Sequence, residues 1–358
     1  MTSDSDTSAG QNAVLIVPYQ WIGDFVRIHS VVKLLKSQDK SRPIDILTSA
    51  NNAPLLDYMP GVRKGVVFDI PRNRPALTAN RALAARLRAE SYDHALVMPR
   101  TWKAALAPWL AGIPRRSGFV GEWRFGLIND VRFGEKKLPR MIDQCAALAL
   151  PANAALPADW PLPKLAVPET EIAAWRVRMN LPDDNRRVVA LAPGAVGPSK
   201  RWTLAGFQQL TKNLGLDNID VWIAGGPGEK SLAAEICAAS PNARDLTGTD
   251  LRNAILALAA ADVAVSNDSG LLHVAAATGT PSIGIFGPTS PWHWAPLNPL
   301  AAIVQADIDL DCQPCHKPAC APGHHLCMRE IGAEKVTRLV RAALENPAAR
   351  VTPLRLAS

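Results

Sequence analysis

The stretch from Ser266 to Thr289, SNDSGLLHVAAATGTPSIGIFGPT, constrains this chain more than any other. The apolar run Asp262-Val263-Ala264-Val265 leads into it and reads as a buried strand. Asn267, Asp268, Ser269 and Gly270 form a turn and helix cap, and Leu271 to Thr278 make a short alanine-rich helix. Gly279, Thr280 and Pro281 stop that helix, and Ser282 to Phe286 begin the next strand. A strand that runs into a glycine-bearing turn and opens a helix aims unpaired backbone N–H groups and a positive dipole end at one point. That point suits a phosphate, and an Asp or Ser at the cap adds a hydroxyl or sugar contact. An ordinary capped helix of an α/β domain has the same pattern, so the segment alone leaves both open.

The rest of the chain repeats the alternation. Ala13 to Pro18 is a strand leading to a helix near Asp24 to Leu35, with further strands expected at 44–48, 65–68 and 94–98 and a helix at 81–90. Residues 151–168 then carry Pro151, Pro157, Pro161, Pro163 and Pro168, a stiff stretch that reads as an interdomain connection. Strands follow at 188–191 and 220–224, with helices at 204–213, 229–239, 251–260 and 333–345. The expectation is an α/β chain of two doubly wound, Rossmann-like domains facing across a cleft. They are preceded by a disordered tail at 1–12 and divided near 165/166, the linker starting at about 151. With 358 residues the chain is long enough for two cores, and no internal repeat of matching sequence is present.

Chemistry belongs at the turns after the strands. The first, Val17-Pro18-Tyr19-Gln20-Trp21-Ile22-Gly23-Asp24, lacks the spaced glycines of a dinucleotide fingerprint, which argues against a nicotinamide enzyme. It places Asp24 at a helix start, as an N-cap or as a general base for an acceptor hydroxyl. In the second half, Pro193 to Trp202 combines Gly194 and Gly197 with Lys200 and Arg201, two adjacent cations suited to a diphosphate leaving group. Gly225-Gly226-Pro227-Gly228-Glu229 puts a carboxylate where it can accept ribose hydroxyls or simply complement a helix dipole. Three such turns in one domain point to a nucleotide-sugar diphosphate.

Charge separates the two halves. Residues 1–150 hold 21 Lys and Arg against 13 Asp and Glu, whereas the remainder holds 18 against 19. The densest part runs from Arg100 to Arg140 and includes Arg100, Lys103, Arg115, Arg116 and Arg124. A solvated basic face, an anionic substrate or an anionic membrane surface all fit it. No nucleic-acid module or aromatic-interleaved basic stripe accompanies it, so nucleic acid is not expected. No apolar run approaches a spanning helix, and MTSDSDTSAGQN is no signal peptide, which predicts a cytoplasmic protein.

These residues carry a resemblance. Gln20 to Asp24, Lys103 to Arg132, Ala192 to Trp202 and Asn267 to Ala277 resemble the ADP-heptose:lipopolysaccharide heptosyltransferases of glycosyltransferase family 9, most of all their type II branch. The resemblance implies a GT-B fold and an inverting transfer of heptose from ADP-heptose, with no strict metal requirement. It makes Asp24 the catalytic base, Lys200 the diphosphate-contacting lysine and Glu229 the ribose-contacting acid. Gly194 and Arg201 join the donor site with them, and Asp268, Ser269, Gly270 and His273 supply its loop and helix. Arg100, Lys103, Arg115, Arg116 and Arg124 would meet an anionic Kdo/heptose–lipid A acceptor. The protein would then sit peripherally at the inner face of the cytoplasmic membrane. A type I enzyme, another core transferase of the family, a nucleotide-sugar epimerase and a non-catalytic Cys/Zn scaffold are the alternatives.

Cys312, Cys315, Cys320 and Cys327 form a C-x2-C-x4-C-x6-C segment containing His316, His324 and His325. Its thiolates can close a tetrahedral zinc site, or stay as reduced, partly buried cysteines; a cytosolic disulfide is disfavoured. Cys145 and Cys237 fall in apolar helices and are expected in the core, His29 and His94 fall in regular structure and are expected to be satisfied rather than catalytic, and Trp292 and Trp294 are expected to pack a loop.

Overall fold

The computed structural model describes residues 13–69, 76–182, 184–248 and 250–346, so the expected tail at 1–12 lies outside the described residues. The chain divides into two compact units between Pro161 and Leu162.

The first unit carries β1 (Ala13–Val17), β2 (Ile44–Thr48), β3 (Lys64–Val67), β4 (Tyr92–Val97), β5 (Arg115–Phe119) and β6 (Asp130–Arg132). They form one parallel sheet in the order β3-β2-β1-β4-β5-β6. All five residues of AVLIV in β1 are buried, because helices cover both faces of a parallel sheet and leave no polar side to alternate with. The second unit carries β7 (Val188–Ala192), β8 (Asp220–Ile223), β9 (Ala243–Asp245), β10 (Val263–Asn267), β11 (Ser282–Ile285) and β12 (Ala301–Val304), ordered β12-β11-β10-β7-β8-β9. Read from the third strand, this is the same arrangement as the first sheet, although the two halves share no repeated sequence. Each sheet reverses its strand order at one point, between β1 and β4 and between β7 and β10. Loops splay apart at such a point, and ligands of these folds bind there, beyond the carboxyl ends of the strands.

Sequence reading missed β5, β6, β9 and β12. RRSGF, DVR and ARD carry charges where a buried strand shows an apolar run, and β6, β9 and β12 are edge strands with β5 next to one. The last helix, Ala333–Glu345, packs on the second unit. Its Val336 and Val340 enter the core with Trp202, Phe207 and Leu210, and Asn213 Nδ2 donates to Thr337 Oγ1 at 3.1 Å.

The proline-rich connection is neither helix nor strand, but each end is anchored in its own unit. Trp160 is buried and its Nε1 donates to Asp143 Oδ1 at 2.6 Å; Leu165 N donates to Ala277 O at 2.7 Å. The helix Glu169–Arg178 then sets Trp175 edge-on to Trp222, centroids 5.7 Å apart, a contact worth about 0.5–1.5 kcal/mol beyond its area.

Candidate functional site

In the first unit, the reversal point lies between the residues after β1 and those after β4, held together by Met98 N donating to Val17 O at 3.0 Å. Gln20 pins the turn to the end of β2: its Oε1 accepts from Ser49 N at 2.9 Å, and its carbonyl accepts from Asn52 Nδ2 at 2.9 Å. The helix Ile22–Gln38 starts there with Trp21, not Asp24, at its cap. Asp24 is buried in the first turn, and Arg27, equally buried, donates from Nη1 to Asp24 Oδ1 at 2.7 Å. The guanidinium one turn on compensates a carboxylate that would otherwise be costly to bury. Beside it, burial, reinforced by the negative field of Glu135 and Asp24, drives the Tyr19 phenol far above its usual range, so it stays a neutral hydroxyl. Arg100, in the loop after β4, pairs with the buried Glu135 at 2.9 Å. Lys103 sits in the first turn of the helix Trp102–Leu110.

The other expected acceptor residues are used differently. Arg115 and Arg116 open β5, so they stand at the amino end of the sheet, the edge opposite Asp24 and Arg100. Arg115 is paired with Asp130 at 2.9 Å, and the buried Arg116 donates to Leu127 O at 2.7 Å and to the carbonyls of Ile113 and Gly126. Arg124 is on the carboxyl side but buried. Its guanidinium clips the Phe119 and Pro99 carbonyls together, joining the ends of β4 and β5. A Cβ on Gly118 would lie 2.8 Å from Arg124 Nη2, so the glycine makes room for the clip. Arg116 and Arg124 hold their own loops, because buried guanidinium groups are satisfied by backbone carbonyls, whereas Arg115 is exposed and paired with Asp130.

In the second unit, three turns converge on the reversal point. Asn267, fully buried at the end of β10, donates from Nδ2 to Pro193 O at 2.6 Å and accepts from Trp202 N at 2.9 Å, so one side chain fixes both ends of the 193–202 loop. Lys200 Nζ is thereby brought to Asp268 Oδ2 at 2.7 Å, an oxygen that also accepts from Thr289 Oγ1 at 2.7 Å. Arg201 Nε donates to Ala195 O at 3.0 Å and the side chain extends to the surface. After β8, the turn Pro227–Glu229 folds back so that Glu229 Oε2 accepts from Gly226 N at 2.9 Å. A Cβ on Gly194 would lie 2.8 Å from Glu229 Oε1, so only glycine permits this approach of the two loops. Ser269 caps the helix Gly270–Thr278 with its hydroxyl 3.0 Å from that of Ser266, leaving the first-turn N–H groups without a side-chain cap. His273 is buried one turn further in. The structure thus brings together Gly194, Lys200, Arg201, Glu229, Asp268, Ser269 and Gly270: amide donors, cations and carboxylates around one point. Sequence reasoning missed Arg27, Glu135, Asn267's role and Thr289; the Asp24–Arg27 spacing of three along a helix was the one signal available.

The cysteine segment lies against this site. His325 Nε2 bonds to Ser199 O at 2.7 Å, Ser199 Oγ donates to Lys317 O at 2.6 Å, and Ser199 N donates to Pro318 O at 3.2 Å. Cys312 Sγ is 3.9 Å from His324 Nε2, Cys320 Sγ accepts from His325 N, and burial pushes the Cys327 thiol up to about 11. Among the described residues no three Cys, His, Asp or Glu side chains gather in a metal-binding arrangement. The segment buttresses the turn that carries Lys200. Cys145 is a core residue as its position suggests, whereas Cys237, expected there too, is only half-buried; the buried His29 is satisfied, its Nε2 lying 2.9 Å from Pro60 O.

Two doubly wound sheets, each with polar and charged side chains gathered at its reversal point, are the architecture of GT-B glycosyltransferases. The family model of glycosyltransferase family 9 (heptosyltransferase) matches residues 80–325, and the chain belongs to that family. It is 32% identical over 344 residues to lipopolysaccharide heptosyltransferase 2 of Escherichia coli K12, covering 92% of this chain and 98% of that one. Against lipooligosaccharide heptosyltransferase 2 of Haemophilus ducreyi it is 32% identical, covering 91% and 97%. The solved structure of E. coli ADP-heptose lipopolysaccharide heptosyltransferase II superposes with a TM-score of 0.83 at 31% identity, covering 94% of this chain and all of that one.

Proposed function

We propose that this chain transfers L-glycero-D-manno-heptose from ADP-heptose onto the lipopolysaccharide inner core, with inversion at the anomeric carbon. The observation that carries the reading is the near full-length match to heptosyltransferase 2 enzymes, in a chain whose Asp24 turn and phosphate-binding loops lie at the two reversal points. The same match favours a type II activity over type I and over an epimerase.

In this reading the second unit holds ADP-heptose. The N-terminus of the helix Gly270–Thr278 and Lys200 meet the diphosphate, and Glu229 meets the ribose. The first unit binds the anionic acceptor, with Arg100 and Lys103 as its cationic contacts. Asp24 takes the proton of the acceptor hydroxyl as its oxygen attacks the anomeric carbon opposite ADP. The new C–O bond forms, the bond to the diphosphate breaks, and ADP leaves with the electron pair, its charge stabilised by Lys200 and the helix N-terminus. No metal is assigned a step. Because the acceptor is a lipid, the protein works at the inner face of the cytoplasmic membrane; among the described residues no helix is long and apolar enough to cross it.

The test is an assay of ADP-heptose transfer to Kdo2–lipid A bearing zero or one heptose. Transfer to the heptose-bearing acceptor alone is expected. Transfer to the heptose-free acceptor would reassign the chain to type I, and transfer to neither would overturn the reading. Elemental analysis after purification in reducing buffer settles the cysteine segment separately: about one zinc per chain supports a metal site, and none supports the buttress alone.

A further inference from the structure

We infer that the loops leaving the carboxyl ends of β5 and β6 are the surface by which the first unit docks on an anionic phospholipid bilayer; this rests on the reading of a lipid-linked acceptor. The observation is a set of large aromatic side chains with nothing covering them. Trp123 is 94% exposed, Phe133 71% and Phe125 64%. Two of them follow paired strand ends: Val120 N donates to Arg132 O, three residues before Trp123 and one before Phe133.

Trp123 also has φ +28°, a backbone conformation that bulky residues avoid. Its neighbours impose that conformation. Glu122 N donates to Arg100 O at 3.2 Å, Gly121 packs so tightly on Arg100 that a Cβ would lie 2.2 Å from its carbonyl, and Arg124 is clipped to Phe119 and Pro99. A fixed loop that strains its backbone to hold an indole in water gains nothing from packing within this chain. The return has to come from something the indole enters.

The surrounding charge says what that is. Lys136 and Lys137, three and four residues after Phe133, are both exposed, Arg100 is half-exposed, and the buried Glu135 is already neutralised by Arg100. Glu122 is the exposed acid next to Trp123. Aromatic rings that settle at the headgroup level beside lysines that meet anionic headgroups make the usual interfacial anchor. Asp24 stands at the carboxyl end of the same sheet, so docking here holds the membrane on the side where the acceptor enters.

The test compares the wild-type chain with Trp123→Ser/Phe125→Ser/Phe133→Ser and with Lys136→Glu/Lys137→Glu, by co-sedimentation with vesicles of phosphatidylcholine alone or with phosphatidylglycerol. The wild type should bind phosphatidylglycerol vesicles, more weakly as salt rises. The aromatic variant should lose at least about tenfold in vesicle affinity. The lysine variant should lose the preference for phosphatidylglycerol. On a water-soluble, deacylated acceptor the aromatic variant should keep wild-type turnover, which also shows that it is folded. Unchanged vesicle binding by the aromatic variant, or no binding by the wild type, overturns the proposal. So does a wild-type dimer that the aromatic variant converts to monomer without any vesicle binding, since the patch would then join two copies. A wild type that binds vesicles but transfers no heptose to the soluble acceptor would instead overturn the proposed activity.

Discussion

Lys200 Nζ and Asp268 Oδ2 are 2.7 Å apart, and Thr289 bonds to the same oxygen. The cation proposed to meet the diphosphate is therefore already engaged, and a bound phosphate must compete with a carboxylate for it. The exchange lowers what the lysine contributes to binding, while the Asp268 contact fixes its orientation.

Lys200→Ala should weaken ADP binding by about tenfold, the low end of what a charge-assisted hydrogen bond is worth, because the wild-type lysine gives up Asp268 to make it. Titration calorimetry with ADP reads this directly. An unchanged affinity would remove Lys200 from the nucleotide site.

Asp24→Asn should cost about 10²–10⁴-fold in kcat, the usual range for a lost general base. Because Arg27 is buried against Asp24, the substitution also leaves a guanidinium without its counter-charge, and stability should fall by about 3 kcal/mol in denaturant unfolding. ADP binding, which belongs to the other unit, should be untouched and reports the folded fraction. Near wild-type kcat would put the base elsewhere.

Gly194→Ala should weaken ADP binding by about tenfold or more, equivalent to about 1.4 kcal/mol, because its Cβ would push Glu229 out of place. Gly228→Ala is the matched control: nothing lies within 4 Å of its Cβ, and affinity should hold. Equal effects from the two would mean that the contact between the loops does not matter for binding.

Burial lowers the His94 imidazole to about 4, with Arg115 nearby acting in the same direction, and its Nε2 is 2.8 Å from Ser117 Oγ. The unfolded chain, with an ordinary histidine, takes up that proton near pH 6.5 while the folded chain does not. Stability should therefore fall by about 1–3 kcal/mol as pH drops from about 6.5 to about 4. His94→Gln should flatten this part of the curve in denaturant titrations. A variant with the same slope as wild type would show that other groups carry it.

What the sequence made legible follows from what is local. VVALA, DVWI and the run into Asn267 are buried on both faces, so composition alone marks them as strands, and the residues just beyond them are the ones the structure gathers. Gly194, Lys200, Glu229 and Asp268 were found this way without knowing the strand order. Arg115 and Arg116 show the limit. RRSGF does not read as a strand, so nothing in the sequence could say which end of the sheet those arginines occupy; they stand at its amino end. Asp24 falls in the first turn of the helix after β1, but its burial against Arg27 depends on packing above that turn, which no local pattern reports.

Asn267 bonds to Pro193 O and Trp202 N, so a single buried side chain on β10 holds both ends of the loop that follows β7. For anyone exchanging parts between members of this family, residues 193–202 and position 267 form one module, although more than sixty residues separate them in the chain. A loop moved without its asparagine would arrive with the right residues and no fixed shape.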